Sequence, residues 1–208
     1  MSPALVILVL VLAVIGSTVA LIVRGVSGGK QAAADALRLR QQRHSAGPVP
    51  GLAIRPLTAV DRPAWERHWA SYCDFYSTEV PASTTDTTWK RILDPASPVK
   101  GYGAFDGSGN LLGFAHIVLH PHTWSPKTLC YLEDLFVAPP FRGRDIGHAL
   151  ITFLWRKAED EGWGRVYWHT ETTNTAARRL YDRFRPADGY VRYTLTIQPD
   201  PSDEGKGL

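Results

Sequence analysis

The chain has 208 residues, 44% of them hydrophobic and 21% charged, with seven tryptophans, eight tyrosines and two cysteines. That length holds one domain with a proper core plus an appendage and crowds out two domains of ordinary size. The net charge of +3 is uneven: within the first 50 residues Arg24, Lys30, Arg38, Arg40 and Arg43 stand against Asp35, so the rest sums to −1. A near-neutral domain lacks the electrostatic footprint of a nucleic-acid binder. Cys73 and Cys130 fall in segments that read as helix and strand interior, which marks them as buried thiols rather than a disulfide or a nucleophile. His116, His120 and His122 cluster without carboxylates at ligand spacing, so no metal is expected.

Residues 4–23, ALVILVLVLAVIGSTVALIV, carry no charge. About 20 residues at about 1.5 Å each cross about 30 Å of hydrocarbon, which predicts an N-terminal transmembrane helix over 1–23. A cleaved signal peptide fits less well, because no basic region precedes the run. Positive charge follows it, which turns the C-terminal side to the cytoplasm and places the protein in the cell membrane as a single-pass anchor; without that segment it would be a soluble cytoplasmic protein. Residues 24–50 read as a basic juxtamembrane linker.

The globular domain is expected over 51–198, with a disordered tail at 199–208. Residues 52–58 alternate as a strand, and the cap signals at Thr58 and Asp61 ahead of Pro63 start a helix. Trp65, Trp69, Tyr72, Cys73 and Tyr76 recur along one face of that helix. A second short helix spans 85–93, and strands at 99–105 and 111–119 are joined by a hairpin turn. Residues 120–126, bounded by Pro121 and Pro126, read as a loop. The strand at 128–137 is stopped by Pro139 and Pro140, and the helix from Asp145 ends at Gly162. A strand at 165–170, a helix at 175–184 capped by Asn174, and a last strand at 189–197 complete the order.

Between the strand at 128–137 and the helix after it lies Arg142-Gly143-Arg144-Asp145-Ile146-Gly147. The backbone N–H groups of such a turn, the positive end of the following helix and two guanidiniums suit a diphosphate. The spacing is neither that of a Walker loop nor that of a dinucleotide fingerprint. It resembles the acetyl-CoA loop of the GCN5-related N-acetyltransferase (GNAT) superfamily, Gln/Arg-x-x-Gly-x-Gly/Ala, with aspartate in place of the first motif glycine. The run Asn174-Thr175-Ala176-Ala177-Arg178-Arg179-Leu180-Tyr181 resembles the family's C-terminal signature. The strand Leu132-Glu133-Asp134-Leu135-Phe136-Val137 is similar to that of the polyamine acetyltransferases and the yeast Hpa2-type enzymes.

The resemblance covers 52–197 and implies an α/β (α+β) fold: a mixed central sheet of six to seven strands flanked by about four helices. It implies acetyl-CoA as acyl donor, no metal, and a small-molecule amine or protein lysine as acceptor, and it leaves a homodimer open. Transfer to an alkylammonium requires a base, since at pH 7 only about one part in a thousand of a group with pKa about 10.4 is neutral. Alternation sends Glu133 and Asp134 to opposite faces of the strand unless a bulge intervenes, and the resemblance selects Glu133 as base. It selects Tyr181 as the acid that protonates the leaving thiolate. The resemblance implies that a main-chain N–H around Phe136 or Val137 donates to the oxyanion and that the main chain of both pairs with the pantetheine arm, with Arg142, Gly143, Arg144, Asp145, Ile146, Gly147 and Asn174 completing the CoA site. Tyr76, Glu79, Trp124 and Trp168 are candidates to hold a cationic acceptor by charge and cation–π contact. The alternative is a catalytically silent acyl-CoA-binding module, for which Asp145 is the main argument: a carboxylate at the helix start competes with the diphosphate.

Overall fold

The computed structural model describes residues 49–195, within a compact unit that begins at Pro48. Its centre is a five-stranded sheet of order β1-β2-β3-β4-β5. β1 (Ala53–Pro56), β2 (Val99–Phe105), β3 (Leu111–His122) and β4 (Ser125–Val137) pair antiparallel in sequence, and β5 (Arg165–Tyr167) lies parallel to β4. Among the described residues four α-helices accompany them: α1 (Arg62–Phe75), α2 (Ala82–Leu93), α3 (Ile146–Asp160) and α4 (Thr175–Tyr181).

Alternation along the strands builds two cores. Phe114 joins Trp65, Trp89 and Phe136 in an aromatic cluster under α1 and α2, whereas its neighbour Ala115 joins Leu150, Leu154 and Cys130 under α3. Successive strand side chains point to opposite faces, so the sheet is covered on both. The aromatic stripe of α1 is therefore mainly core: Trp65 is fully buried and stacks on Trp69 at 5.8 Å. Both cysteines are free, and burial pushes the Cys130 thiol up to about 12.

Three expectations change. Among the described residues the sheet has five strands, not six or seven: 189–195 form no strand, with Tyr190, Tyr193 and Leu195 at least 87% exposed, and 196–197 lie outside the described residues. Alternation supplies the pattern of a strand, but a strand needs an edge to pair with, and β5 is only three residues long. The predicted loop at 120–126 is instead the end of a hairpin, with β3 running to His122 and β4 starting at Ser125. Pro121 falls where the register shifts, a place where its missing N–H breaks no ladder bond. The membrane location is the third correction: among the described residues no helix is long and apolar enough to cross a membrane. The expected span and nearly all of the 24–50 linker lie outside the described residues.

Close approach of β3 to β4 depends on Gly113, where an added Cβ would lie 2.4 Å from the Phe136 carbonyl oxygen and 3.1 Å from Val137 Cα. Backbone cannot yield as a side chain does, so Gly113→Ala is expected to cost about 1–3 kcal/mol of stability. The check is the urea midpoint, which should fall; an unmoved midpoint would mean that the two strands have room to separate.

Candidate active site

The site strand β4 carries its two carboxylates on a bulge. His116 of β3 pairs with Asp134, yet the next residue, Ile117, pairs with Leu132, so Glu133 is an extra residue on β4. A bulge breaks the two-residue alternation, which removes the reason for expecting the two carboxyls on opposite faces. Their charges interact: burial first, then the charge of Asp134, pushes the Glu133 carboxyl above its ordinary value, with Arg192 opposing.

Asp134 is held from behind. The Nδ1 of His116 lies 2.8 Å from Asp134 Oδ2, and Trp65 Nε1–H donates to His116 Nε2 at 2.8 Å. Indole is a donor only, so Nε2 is the acceptor nitrogen and Nδ1 carries the hydrogen donated to the carboxylate. His116 is 2% exposed, which makes this network part of the core as well as of the site. His116→Phe would leave the Trp65 N–H and the carboxylate of Asp134 without their partner and is expected to cost about 2–4 kcal/mol. Thermal unfolding tests this, and partial recovery in His116→Gln would separate the lost hydrogen bonds from lost packing. Tyr72, packed against the aromatic core, adjoins Asp134, and burial first, then that carboxylate, raises its phenol well above the usual range.

Beside this group the sheet opens. β5 pairs with β4 only at Leu129, Cys130 and Tyr131, so from Leu132 to Val137 the outer edge of β4 has no strand partner among the described residues. Ala138 N–H donates to the Leu112 carbonyl at 2.9 Å. Counting back by twos, the Phe136 main chain also faces β3, whereas the N–H groups of Leu135 and Val137 face the opening. Of the two residues expected to offer a main-chain donor, the register thus selects Val137 and adds Leu135. The Phe136 side chain is buried in the aromatic core.

Tyr181 is the last residue of α4. Its ring packs on Trp168 at 5.3 Å, and both pack against the core cluster that Leu135 and Val137 also touch. Burial first, and then the neighbouring Tyr76, pushes its hydroxyl up to about 12, so it keeps its proton at neutral pH. Asn174 caps α4 by accepting from the Ala177 N–H at 3.2 Å. It also lines an open pocket of about 390 Å³ between Phe75 and Tyr76 on one side and Glu171, Thr173 and Ala176 on the other.

The loop after β4 holds two residues in the left-handed region, Gly143 at φ 77° and Asp145 at φ 58°. Aspartate tolerates that region better than most residues, so Asp145 keeps the backbone turn that a motif glycine would give. Its side chain is turned outward and accepts from Arg183 at 2.6 Å. Asp145 caps α3, and Ile146 and Gly147 begin the helix. At Gly147 an added Cβ would meet Leu180 at 2.9 Å, so the lack of a side chain lets α4 approach. Arg142 is turned onto the strand, its Nε donating to the Val137 carbonyl at 2.8 Å, and Arg144 is half-buried between the two left-handed residues. Successive N–H groups around αL residues ahead of a helix N-terminus form an anion cradle, so these residues fit the diphosphate of CoA.

Two candidates lie elsewhere. Trp124 is 89% exposed at the tip of the β3–β4 hairpin, seven residues or about 20 Å of strand before Tyr131. Glu79 is exposed on the α1–α2 connection and does not line the pocket. In the sequence His116 stands out only as one of three histidines on β3, and nothing local marks Glu171 or Arg183; for His116 the available signal is a histidine within an apolar run. Among the described residues no group of three His, Cys, Asp or Glu side chains is placed to hold a metal ion.

The family profile described as acetyltransferase (GNAT) family matches residues 64–185, which span α1 to α4 and every element of this site from Trp65 to Arg183. The chain belongs to the GNAT family. It is 32% identical over 133 residues to the D-amino-acid N-acetyltransferase HPA3 of Saccharomyces cerevisiae, covering 64% of this chain and 83% of that protein. Its fold is similar to that of a ribosomal-protein-alanine N-acetyltransferase from Brucella melitensis biovar Abortus 2308, with a TM-score of 0.60, 23% identity, and 71% and 100% of the two chains covered. It is likewise similar to AAC(6')-Iy in complex with a CoA-containing bisubstrate analogue, with a TM-score of 0.60, 19% identity, and 71% and 99% covered. As a GNAT N-acetyltransferase it takes its acetyl group from acetyl-CoA.

Proposed function

We propose that this GNAT enzyme acetylates the primary amine of a small cationic acceptor by direct attack, with Glu133 as base and Tyr181 as acid. The observation that supports the reading is the open edge of β4, along which lie Glu133, with its raised carboxyl, and the outward main-chain N–H groups of Leu135 and Val137, while protonated Tyr181 packs against the same core cluster as Leu135 and Val137. Acetyl-CoA supplies an acyl group on a good leaving sulfur. The loop from Arg142 to Gly147 is its diphosphate cradle, and Asn174 borders its arm.

The roles divide along the cleft. Glu133, directly or through a water, removes a proton from the ammonium, and the freed lone pair forms the N–C bond as the C–S bond breaks. The Leu135 and Val137 N–H groups are aimed where negative charge gathers on the acyl oxygen. Tyr181 gives its proton to the departing sulfur, and the second proton of the acetylated nitrogen restores the Tyr181 hydroxyl, so that amide and thiol both leave neutral. Asp134 holds negative charge beside the acceptor's approach, and Phe75 and Tyr76 offer ring faces to a cation. The similarity to a D-amino-acid N-acetyltransferase adds D-amino acids to the polyamines, amino sugars and lysine side chains that suit such a cleft.

The test is release of CoA thiol from acetyl-CoA by the full chain across a panel of polyamines, D- and L-amino acids, amino sugars and lysine peptides. Amine-dependent release with at least one class is expected. Binding of acetyl-CoA without release on any amine would instead favour a silent acyl-CoA-binding module.

A further inference from the structure

Arg183 follows the proposed acid by two residues, and no role described so far accounts for it. Its guanidinium donates to Asp145 Oδ1 at 2.6 Å across 38 residues of sequence. Two further contacts tie the same elements together: Gly147 closes against Leu180, and the His148 ring stacks on Phe184 at 4.6 Å. The segment after α4 is thereby fastened to the first turn of α3, with Arg183 at its outer end.

The two side chains of the pair are 48% and 66% exposed, so the ion pair by itself contributes little to stability. Its position is more telling than its strength. Asp145 is the cap residue of α3 and sits in the left-handed conformation of the anion cradle, so the guanidinium lies within one hydrogen bond of the loop proposed to hold the CoA diphosphate. A guanidinium has five N–H donors, and the bond to Asp145 uses one. A carboxylate alone at this place would repel a diphosphate; with Arg183 attached, it anchors a cation that has donors to spare.

We infer that Arg183 is a further CoA-binding residue, a contact for the diphosphate, and that Asp145 is its positioning residue. The inference rests on reading residues 142–147 as the CoA loop. It also explains how the chain accommodates aspartate where the family pattern has glycine: αL backbone is kept, and the added negative charge carries its own counter-ion.

Affinities of the full chain for CoA, dephospho-CoA and S-acetylpantetheine, measured by calorimetry at low salt, test this without any acceptor. Arg183→Gln is expected to weaken CoA and dephospho-CoA equally, about tenfold, and to leave S-acetylpantetheine unchanged, because only the first two carry the diphosphate. In an Asp145→Gly background, Arg183→Gln should still cost about threefold. Loss of that residual effect would overturn the inference, since Arg183 would then act only by neutralising Asp145. A loss confined to CoA would assign Arg183 to the 3′-phosphate instead, and an equal loss on S-acetylpantetheine would make its role structural; either result also overturns it. Failure of the loop reading looks different: wild type would bind CoA no more tightly than S-acetylpantetheine.

Discussion

Tyr181→Phe is expected to lower kcat by about 100-fold or more while KM for acetyl-CoA stays within about twofold, because a positioned general acid contributes about 10²–10⁴-fold. The ring contact with Trp168 is made by the aromatic body, which phenylalanine retains, so the fold and the wall of the cleft should survive. What is lost is the hydroxyl. Burial first, and then Tyr76, holds that hydroxyl at about 12, so it is protonated throughout any ordinary assay range and available to the sulfur. An alkaline fall in wild-type activity well below pH 12 must therefore arise from another group. Unchanged turnover in Tyr181→Phe would mean that the sulfur leaves as thiolate and that Tyr181 only packs.

Glu133→Gln is expected to lower kcat/KM by about 100-fold and to flatten the acid limb of its pH profile. The sign follows from the role: a base works deprotonated, so wild-type activity should fall as pH drops through the Glu133 pKa. That pKa lies above the ordinary carboxylate value, raised by burial and next by Asp134. Asp134→Asn removes the second cause, so the limb in that variant should move to lower pH, whereas a limb that stayed in Glu133→Gln would place the base elsewhere. Asp134 is also bonded to buried His116, so its variant needs a stability control before its rates are compared.

Much of the site was legible in the chain because its signals are local. The loop at 142–147 and the helix capped by Asn174 are short runs whose spacing carries their chemistry, and the hairpin of β2 and β3 announces itself by the turn residues Asp106 to Asn110. What escaped is non-local. The bulge at Glu133 depends on the register of β3 against β4, which strict alternation along β4 alone does not show. The His116–Asp134 and Asp145–Arg183 pairs join residues 18 and 38 positions apart. Alternation misled at 189–195, where apolar residues recur but no edge pairs with them, and two prolines hid the hairpin end at 120–126. At Asp145 the sequence shows the side-chain charge that departs from the motif but not the left-handed backbone that keeps the turn.

Initial rates of CoA thiol release, with acetyl-CoA and the best amine of the panel varied together, test the central claim most directly. Direct attack by a base-freed amine within one complex predicts intersecting double-reciprocal lines and no burst of thiol without amine. Parallel lines with an amine-independent burst would show an acetylated enzyme and contradict the account, as would the absence of amine-dependent release from a chain that binds acetyl-CoA.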